Sequence, residues 1–108
     1  MGAVKADAKL AEIVRRLVAA YQPAAVYLFG SHARGEAGPD SDYDLLLVVP
    51  DDASPERLRG RLAYEVLWDL GTAADVVVLP RGWFEARLHL KASLPATVLR
   101  EGVLLHAA

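Results

Sequence analysis

Residues 30–49 read GSHARGEAGPDSDYDLLLVV, and this stretch decides the fold that the sequence predicts. Gly30 and Ser31 end a short apolar strand predicted at 24–29, and small polar and turn-forming residues follow them. A second strand is predicted at 42–49, and its later residues are apolar on both faces, which is typical of a strand covered on both sides. The stretch therefore predicts two strands joined by a polar, glycine-rich loop.

Helix and strand patterns alternate along the rest of the chain. Apolar residues at steps of three and one predict an amphipathic helix over 7–21, which Pro23 ends. A cap, a proline and an acid at its start predict a second helix over 54–70, closed at Gly71. The other elements predicted are a strand at 75–79, helices at 83–90 and 95–101, and a last strand at 103–105. We therefore expect an α/β (α+β) fold in which helices pack on a small mixed sheet.

Composition limits the class of protein. The 108 residues are 54% hydrophobic and 24% charged, which predicts one domain over 1–108 with a packed core. A net charge of −2 argues against binding DNA or a membrane through general positive charge, and no run approaches the roughly 20 apolar residues of a membrane span. The chain has no cysteine and its N-terminus lacks the apolar segment of a secretion signal, so we expect a cytoplasmic protein.

Two carboxylates mark the start of the second strand. Asp42 and Asp44 are two residues apart, so the pleat directs both to one face with their Cα atoms about 6.6 Å apart. Like charges this close repel, and a divalent cation such as Mg²⁺, or Mn²⁺ as an alternative, would relieve the repulsion. A solvated strand end explains the pair equally well when it is considered alone.

The Gly30-Ser31 pair adds a second feature at the same edge of the sheet. A glycine at a strand end lets the backbone approach a ligand closely, and amides there, with the Ser31 hydroxyl, can bind phosphate. Such pairs also occur in ordinary turns. A phosphate site beside two carboxylates, however, supplies what nucleotidyl transfer requires, namely a triphosphate anchor and metal ligands.

Gly30-Ser31, ten intervening residues and then Asp42-Tyr43-Asp44 resemble the signature of the DNA polymerase β-like nucleotidyltransferase superfamily. The form found here is similar to the minimal nucleotidyltransferases, small proteins often partnered with HEPN-domain proteins. The resemblance implies the polymerase β-like nucleotidyltransferase fold and a third carboxylate on a neighbouring strand. Asp75 is the candidate, completing a site for two Mg²⁺ ions and helping to deprotonate the attacking hydroxyl; its alternative role is a polar residue at a strand entrance.

The resemblance also implies a function. We expect a magnesium-dependent enzyme that transfers a nucleoside monophosphate to a hydroxyl and releases pyrophosphate; AMP from ATP is the favoured donor group, with another NTP as the alternative. The acceptor is expected to be a tyrosine of a HEPN-type toxin, which would make this chain an antitoxin. The alternatives are a binding module that neutralises a HEPN-like ribonuclease by contact alone, and an adenylyltransferase of small molecules.

The other candidate residues are less specific. Arg34 is predicted to bind a nucleotide phosphate, with an exposed arginine as the alternative; His32 would contact phosphate or orient the loop. The acids assigned to solvated loops are Asp40, Asp51 and Asp52, and a solvated helix face is preferred over a basic rim for Arg81, Arg87 and Lys91. The predicted second helix is apolar over more than one stripe, so besides core it could provide an interface in a homo- or hetero-oligomer; the residues are Tyr64, Val66, Leu67, Trp68 and Leu70.

Overall fold

Four strands form one mixed sheet in the computed structural model, which describes residues 7–38 and 41–108. The strands are β1 (Ala25–Phe29), β2 (Tyr43–Val49), β3 (Ala74–Pro80) and β4 (Val103–Ala107). Their order is β3-β2-β1-β4, with β1 antiparallel to both its neighbours and β2 parallel to β3. The mixed sheet expected from the sequence is confirmed.

The helices lie on both faces of the sheet. In the described part of the chain they are α1 (Ala8–Tyr21), α2 (Gly30–Arg34), α3 (Gly60–Leu67), α4 (Arg81–Ala86) and α5 (Leu94–Glu101), with 3-10 turns at Pro55–Leu58 and Trp68–Leu70. None of these helices is long and apolar enough to cross a bilayer. The expected packing of helices on the sheet is therefore present on both sides.

Strand β2 lies between two clusters of buried apolar side chains, one on each face of the sheet. Its residues Leu45 and Leu47 pack with the apolar stripe of α1 and with Leu67 of α3 on one face. Leu46 and Val48 point the other way and pack with helices α4 and α5. This alternation explains why the strand is apolar at successive positions, as the sequence indicated.

The helix predicted over 54–70 is wrong in its extent. Arg59 is extended (φ −121°, ψ 145°), which separates the Pro55–Leu58 turn from α3. The buried hydroxyl of Tyr21 donates to the Arg59 carbonyl and accepts from the Ala63 amide at 2.9 Å. In a continuous helix that amide would bond that carbonyl directly, so a side chain from α1 replaces one helical hydrogen bond and the helix begins late.

The helix predicted over 83–90 also differs from the structure, where α4 starts and ends earlier. Ser93 Oγ donates to the carbonyl of Arg87 at 2.8 Å, just past the end of α4. The same oxygen accepts from the Ala96 amide at 3.2 Å as the N-cap of α5. One serine thus bonds the turn after α4 to the start of α5, and the segment between them forms turns instead of helix.

The N-terminus of α1 is bonded to the start of β2. Asp7 caps the helix by accepting from the Leu10 amide at 3.0 Å, and Tyr43 donates its hydroxyl to the other carboxylate oxygen at 2.5 Å. Burial raises the pKa of Asp7, but hydrogen bonds from Tyr43 and from the Leu10 and Lys9 amides outweigh it and leave the pKa below its ordinary 3.8. The charged carboxylate therefore stabilises the folded state.

We predict that Tyr43→Phe lowers the free energy of unfolding by about 1–2 kcal/mol at pH 7, because it removes a hydrogen bond to a charged acceptor. Since the Asp7 pKa is depressed, this contribution is present above pH 3.8 and is lost as the pH falls through the folded-state value. Urea unfolding at several pH values measures it, with Tyr64→Phe, on a 63% exposed ring, as the control. A difference between Tyr43→Phe and wild type that persists unchanged at low pH would contradict this assignment.

Gly102 turns the chain from α5 into β4 within a very tight space. A Cβ atom there would lie 2.5 Å from the Val98 carbonyl oxygen and 2.9 Å from that of Leu28. Both are backbone atoms of packed elements, so neither can move aside easily.

We predict that Gly102→Ala lowers the free energy of unfolding by about 1–3 kcal/mol through this overlap. Gly38→Ala is the matched control, because the nearest side-chain atom to its Cβ lies 4.0 Å away. Chemical denaturation compares the two. Equal stability of Gly102→Ala and wild type would show that the turn is looser than described.

Candidate active site

The bend after β1 lies directly against the Asp44 carboxylate. Phe29, the last residue of β1, is the register partner of Asp44 on β2, and Gly30 then turns the chain into α2 with φ +75°. A Cβ atom on Gly30 would overlap the Asp44 carboxylate oxygen and lie 3.1 Å from its Cγ. Both the backbone angle and the carboxylate therefore require glycine at this position.

The three predicted carboxylates lie at the same end of neighbouring strands. Asp44 and Asp75 are register partners on the parallel strands β2 and β3, so their Cα atoms are about 4.8 Å apart. Asp42 is exposed and comes one residue before β2, two residues from Asp44. Burial raises the pKa of Asp44, and the charges of Asp75 and Asp42 raise it further. The structure thus brings the three acids close enough to repel one another.

The donor set suits a hard divalent cation, because it consists of carboxylate oxygens whose mutual repulsion a cation would relieve. The side chains are not, however, gathered around one point. Within residues 7–38 and 41–108, no group of three or more His, Cys, Asp or Glu side chains is arranged to hold a metal ion. The chemistry of the site therefore fits Mg²⁺, whereas the positions of the side chains do not form a finished coordination sphere.

Arg34 lies beside the carboxylates but is paired elsewhere. Its Nε donates to Glu36 Oε1 at 2.9 Å in an exposed ion pair. Its positive charge still opposes the rise in the pKa of Asp44. Exposed pairs of this kind contribute little free energy, so the guanidinium can exchange Glu36 for a phosphate at small cost.

His32 holds the loop between α2 and β2. Its ring stacks on Tyr43, with centroids 4.2 Å apart and planes at 20°, and Nε2 lies 3.0 Å from the Ser41 carbonyl oxygen. Tyr43 in turn bonds Asp7. Of the two roles expected for His32, these contacts match orientation of the loop, and they fix the residue between the two carboxylates. Ser31 is half-buried at the bend, and its carbonyl accepts from the Glu36 amide at 2.9 Å.

Several loop and surface residues lie apart from this site. Asp51 accepts from the Gly82 amide at 2.9 Å and so holds the start of α4, a structural role that the sequence did not indicate. Arg81 pairs with Glu85, and the Arg87 guanidinium lies 3.7 Å from the centre of the Trp83 ring. These contacts match the solvated helix face expected there. Asp40 lies outside the described residues.

A cavity of about 410 Å³ adjoins the carboxylates on the side away from Gly30. Asp42 and Asp75 line it, together with the exposed rings of Tyr64 and Trp68, which are 5.1 Å apart. The sequence indicated an apolar excess on the helix predicted over 54–70 but gave no sign that this helix meets the acids. Helix α3 lies beside them because β2 and β3 are parallel, so the chain between these strands has to cross over the sheet.

Comparisons with known proteins agree with this architecture. A family model described as "Nucleotidyltransferase domain" matches residues 8–105. No curated protein gives a significant match. A structure described as a candidate nucleotidyltransferase from Sulfolobus solfataricus has a TM-score of 0.61 and 24% identity, over 92% of this chain and 78% of that one.

Two further structures are toxin–antitoxin complexes. One, solved with AMP-PNP, has a TM-score of 0.60 and 23% identity over 90% of this chain and 73% of that chain. The other, a mutant of MntA-HpeT, has a TM-score of 0.55 and 19% identity over 93% of this chain and 72% of that chain. At these identities the likenesses establish the fold.

The family match covers nearly all of the sequence, including both strands that carry the carboxylates. It confirms the superfamily resemblance that residues 30–49 indicate, and the structural neighbours share the expected fold. The chain belongs to the nucleotidyltransferase domain family.

Proposed function

We propose that this protein is a magnesium-dependent nucleotidyltransferase that transfers a nucleoside monophosphate, AMP from ATP, to a hydroxyl group of a protein partner. The observation that carries the proposal is the position of Asp44, in contact with Gly30 on one side and in register with Asp75 on the other. The bend at Gly30, the candidate phosphate site, is thereby adjacent to the row of carboxylates. The family assignment supports the same class of reaction.

The proposal gives each residue a role that its position supports. Gly30 and Ser31 hold the β- and γ-phosphates through the backbone and the hydroxyl, and Arg34 turns from Glu36 to the same phosphates. Asp42, Asp44 and Asp75 would hold two Mg²⁺ ions, or Mn²⁺, which when bound neutralise the reacting phosphates and lower the pKa of the acceptor hydroxyl. Asp75, exposed on the edge strand, takes the proton of that hydroxyl.

The reaction is a displacement at the α-phosphorus. A bond forms between the acceptor oxygen and the α-phosphorus, the bond to the bridging oxygen of the β-phosphate breaks, and pyrophosphate leaves. The residues at the bend hold the leaving group while the carboxylates act on the attacking side. Burial of Asp44 and its like-charged neighbours raise its pKa, so the site favours a cation as soon as the carboxylate is ionised.

The proposed acceptor is a tyrosine of a HEPN-type toxin, which this protein would neutralise as an antitoxin. The support is the resemblance of residues 30–44 to the minimal nucleotidyltransferases, together with two structural neighbours that are toxin–antitoxin complexes, one containing AMP-PNP. Neutralisation by contact alone is the alternative. One observation favours this alternative: in the described residues, no three His, Cys, Asp or Glu side chains are arranged to hold a metal ion.

The two functions are separated by incubating the protein with Mg²⁺, α-labelled ATP and a HEPN-domain ribonuclease as the candidate partner. The proposal expects label on a tyrosine of the partner and loss of its ribonuclease activity, both requiring the carboxylates. If an Asp42→Ala, Asp44→Ala double variant still inhibits the partner with no label transferred, contact alone is sufficient.

We predict that Asp44→Asn abolishes transfer, by at least about 1,000-fold, while raising the thermal midpoint by a few degrees. Since the Asp44 pKa is raised, the ionised carboxylate destabilises the fold above its folded-state pKa, and this penalty vanishes well below pH 3.8. The stability advantage of the variant should therefore be largest at neutral pH. Calorimetry at several pH values measures it; a variant less stable than wild type at pH 7 would contradict the repulsion.

We predict that Gly30→Ala lowers transfer at least about 100-fold, because the new Cβ displaces the Asp44 carboxylate. Gly35→Ala is the matched control: Gly35 has a nearly identical φ of +74°, but nothing lies within 4 Å of its Cβ. Both variants should lose about 1 kcal/mol of stability from backbone strain. Steady-state assays that find equal activity in the two variants would show that contact between Gly30 and Asp44 is unimportant.

A further inference from the structure

The cavity beside Asp75 has features of a binding site that the roles above leave unused. Its volume of about 410 Å³ lies within the roughly 300–1,000 Å³ typical of ligand sites. Tyr64 and Trp68 line it although 63% and 69% of these residues are exposed to solvent. Their rings are 5.1 Å apart and tilted by 58°, so they present two adjoining aromatic surfaces. Exposed tyrosine and tryptophan are typical of surfaces that contact a partner.

The charge of the cavity does not favour a phosphate that arrives without a metal ion. Among residues 7–38 and 41–108, its lining contains the carboxylates of Asp42 and Asp75 and no lysine, arginine or histidine. Arg16 on α1 and Arg61 on α3 are paired with carboxylates, Arg16 with Asp69 and Arg61 with Glu65. A neutral or cationic group is therefore favoured here, whereas a triphosphate is favoured at the opposite end of the carboxylate row, where Arg34 lies.

The geometry of displacement places the acceptor on this side. Attacking and leaving oxygens lie roughly in line across the phosphorus. If the bend at Gly30 holds the leaving pyrophosphate, the acceptor hydroxyl must approach from across the carboxylate row. The sheet order puts β3 and Asp75 beyond Asp44 in that direction, and the cavity adjoins Asp75.

We propose that Tyr64 and Trp68 form the docking site for the acceptor, a tyrosine-bearing protein segment flanked by basic residues. The proposal rests on the proposed transferase function. The acceptor phenol stacks on the aromatic pair, an adjacent basic side chain lies over the Trp68 ring, and the hydroxyl reaches the carboxylate row. The specificity of the site is thus for an aromatic hydroxyl in a basic context.

The test uses blocked tripeptides as probes, with tyrosine between two lysines, tyrosine between two glutamates, or phenylalanine between two lysines. Their binding to the full chain is measured by NMR titration with Mg²⁺ and α,β-methylene-ATP, whose α–β link cannot be broken by displacement at the α-phosphorus, and AMP-PNP affinity is measured by calorimetry without peptide. Trp68→Ala and Tyr64→Ala are compared with Trp83→Ala, which removes a partly exposed tryptophan from α4 on the other face of the sheet. Label transfer from α-labelled ATP is measured on the same samples.

We expect Trp68→Ala to weaken binding of the lysine–tyrosine peptide roughly tenfold, as for an interfacial aromatic anchor, with a smaller loss for Tyr64→Ala. AMP-PNP affinity should be unchanged, Trp83→Ala should behave as wild type, and the glutamate peptide should bind more weakly. The phenylalanine peptide should bind but accept no label.

Three results would overturn the docking site: loss of AMP-PNP affinity in Trp68→Ala with unchanged peptide binding, which would make the cavity a nucleobase site; equal peptide binding in all variants; or no peptide binding by wild type at millimolar concentrations. Failure of the transferase function would look different. The peptide would then bind through Trp68 but never acquire label from wild-type protein.

Discussion

Repulsion among carboxylates at one edge of a small sheet is the constraint on which this site depends. Register fixes Asp44 beside Asp75, and Asp42 lies two residues before Asp44, so the strands themselves impose the proximity. The cost is visible in the pKa of Asp44, which burial and both neighbouring acids raise. A fold selected for stability alone would place an amide or an apolar residue there. The arrangement has a physical purpose if a cation occupies it.

The remaining contacts around the row keep it in place. Gly30 lets the chain pass against the Asp44 carboxylate, and Tyr43, between Asp42 and Asp44, is buried, stacked on His32 and bonded to Asp7. Rigid supports of this kind position a site more accurately than loops can. The sheet, the Asp7 cap of α1 and the bend before α2 thus all hold Tyr43 and Asp44 in place.

Local signals in the sequence were sufficient for much of this fold. The two-residue spacing of Asp42 and Asp44, the glycine bend and the apolar run of β2 follow from short-range patterns, and they predicted the strands and the edge of the sheet. The breaks in the helices do not follow from short-range patterns, because their causes come from elsewhere in the chain. The Tyr21 hydroxyl interrupts the segment before α3, and Ser93 caps the turn after α4.

The candidate site, like the fold, could be predicted from the sequence only in part. Register between β2 and β3 cannot be read from a valine-rich strand, so Asp75 was identified only through the family resemblance. The meeting of Tyr64 and Trp68 with the acids results from the crossover between parallel strands and has no local signature. Side chains expected to converge on a metal are adjacent but do not surround a common point in the described residues.

The most direct test of a cation at the carboxylate row is to add substoichiometric Mn²⁺ to isotope-labelled protein with AMP-PNP and record which amide signals broaden. Paramagnetic broadening is confined to atoms near the ion. The account predicts selective loss of the signals of Gly30, Ser31, Asp44 and Asp75, with the far ends of α1 and β4 unaffected. Broadening elsewhere, while these four signals stay sharp, would contradict it.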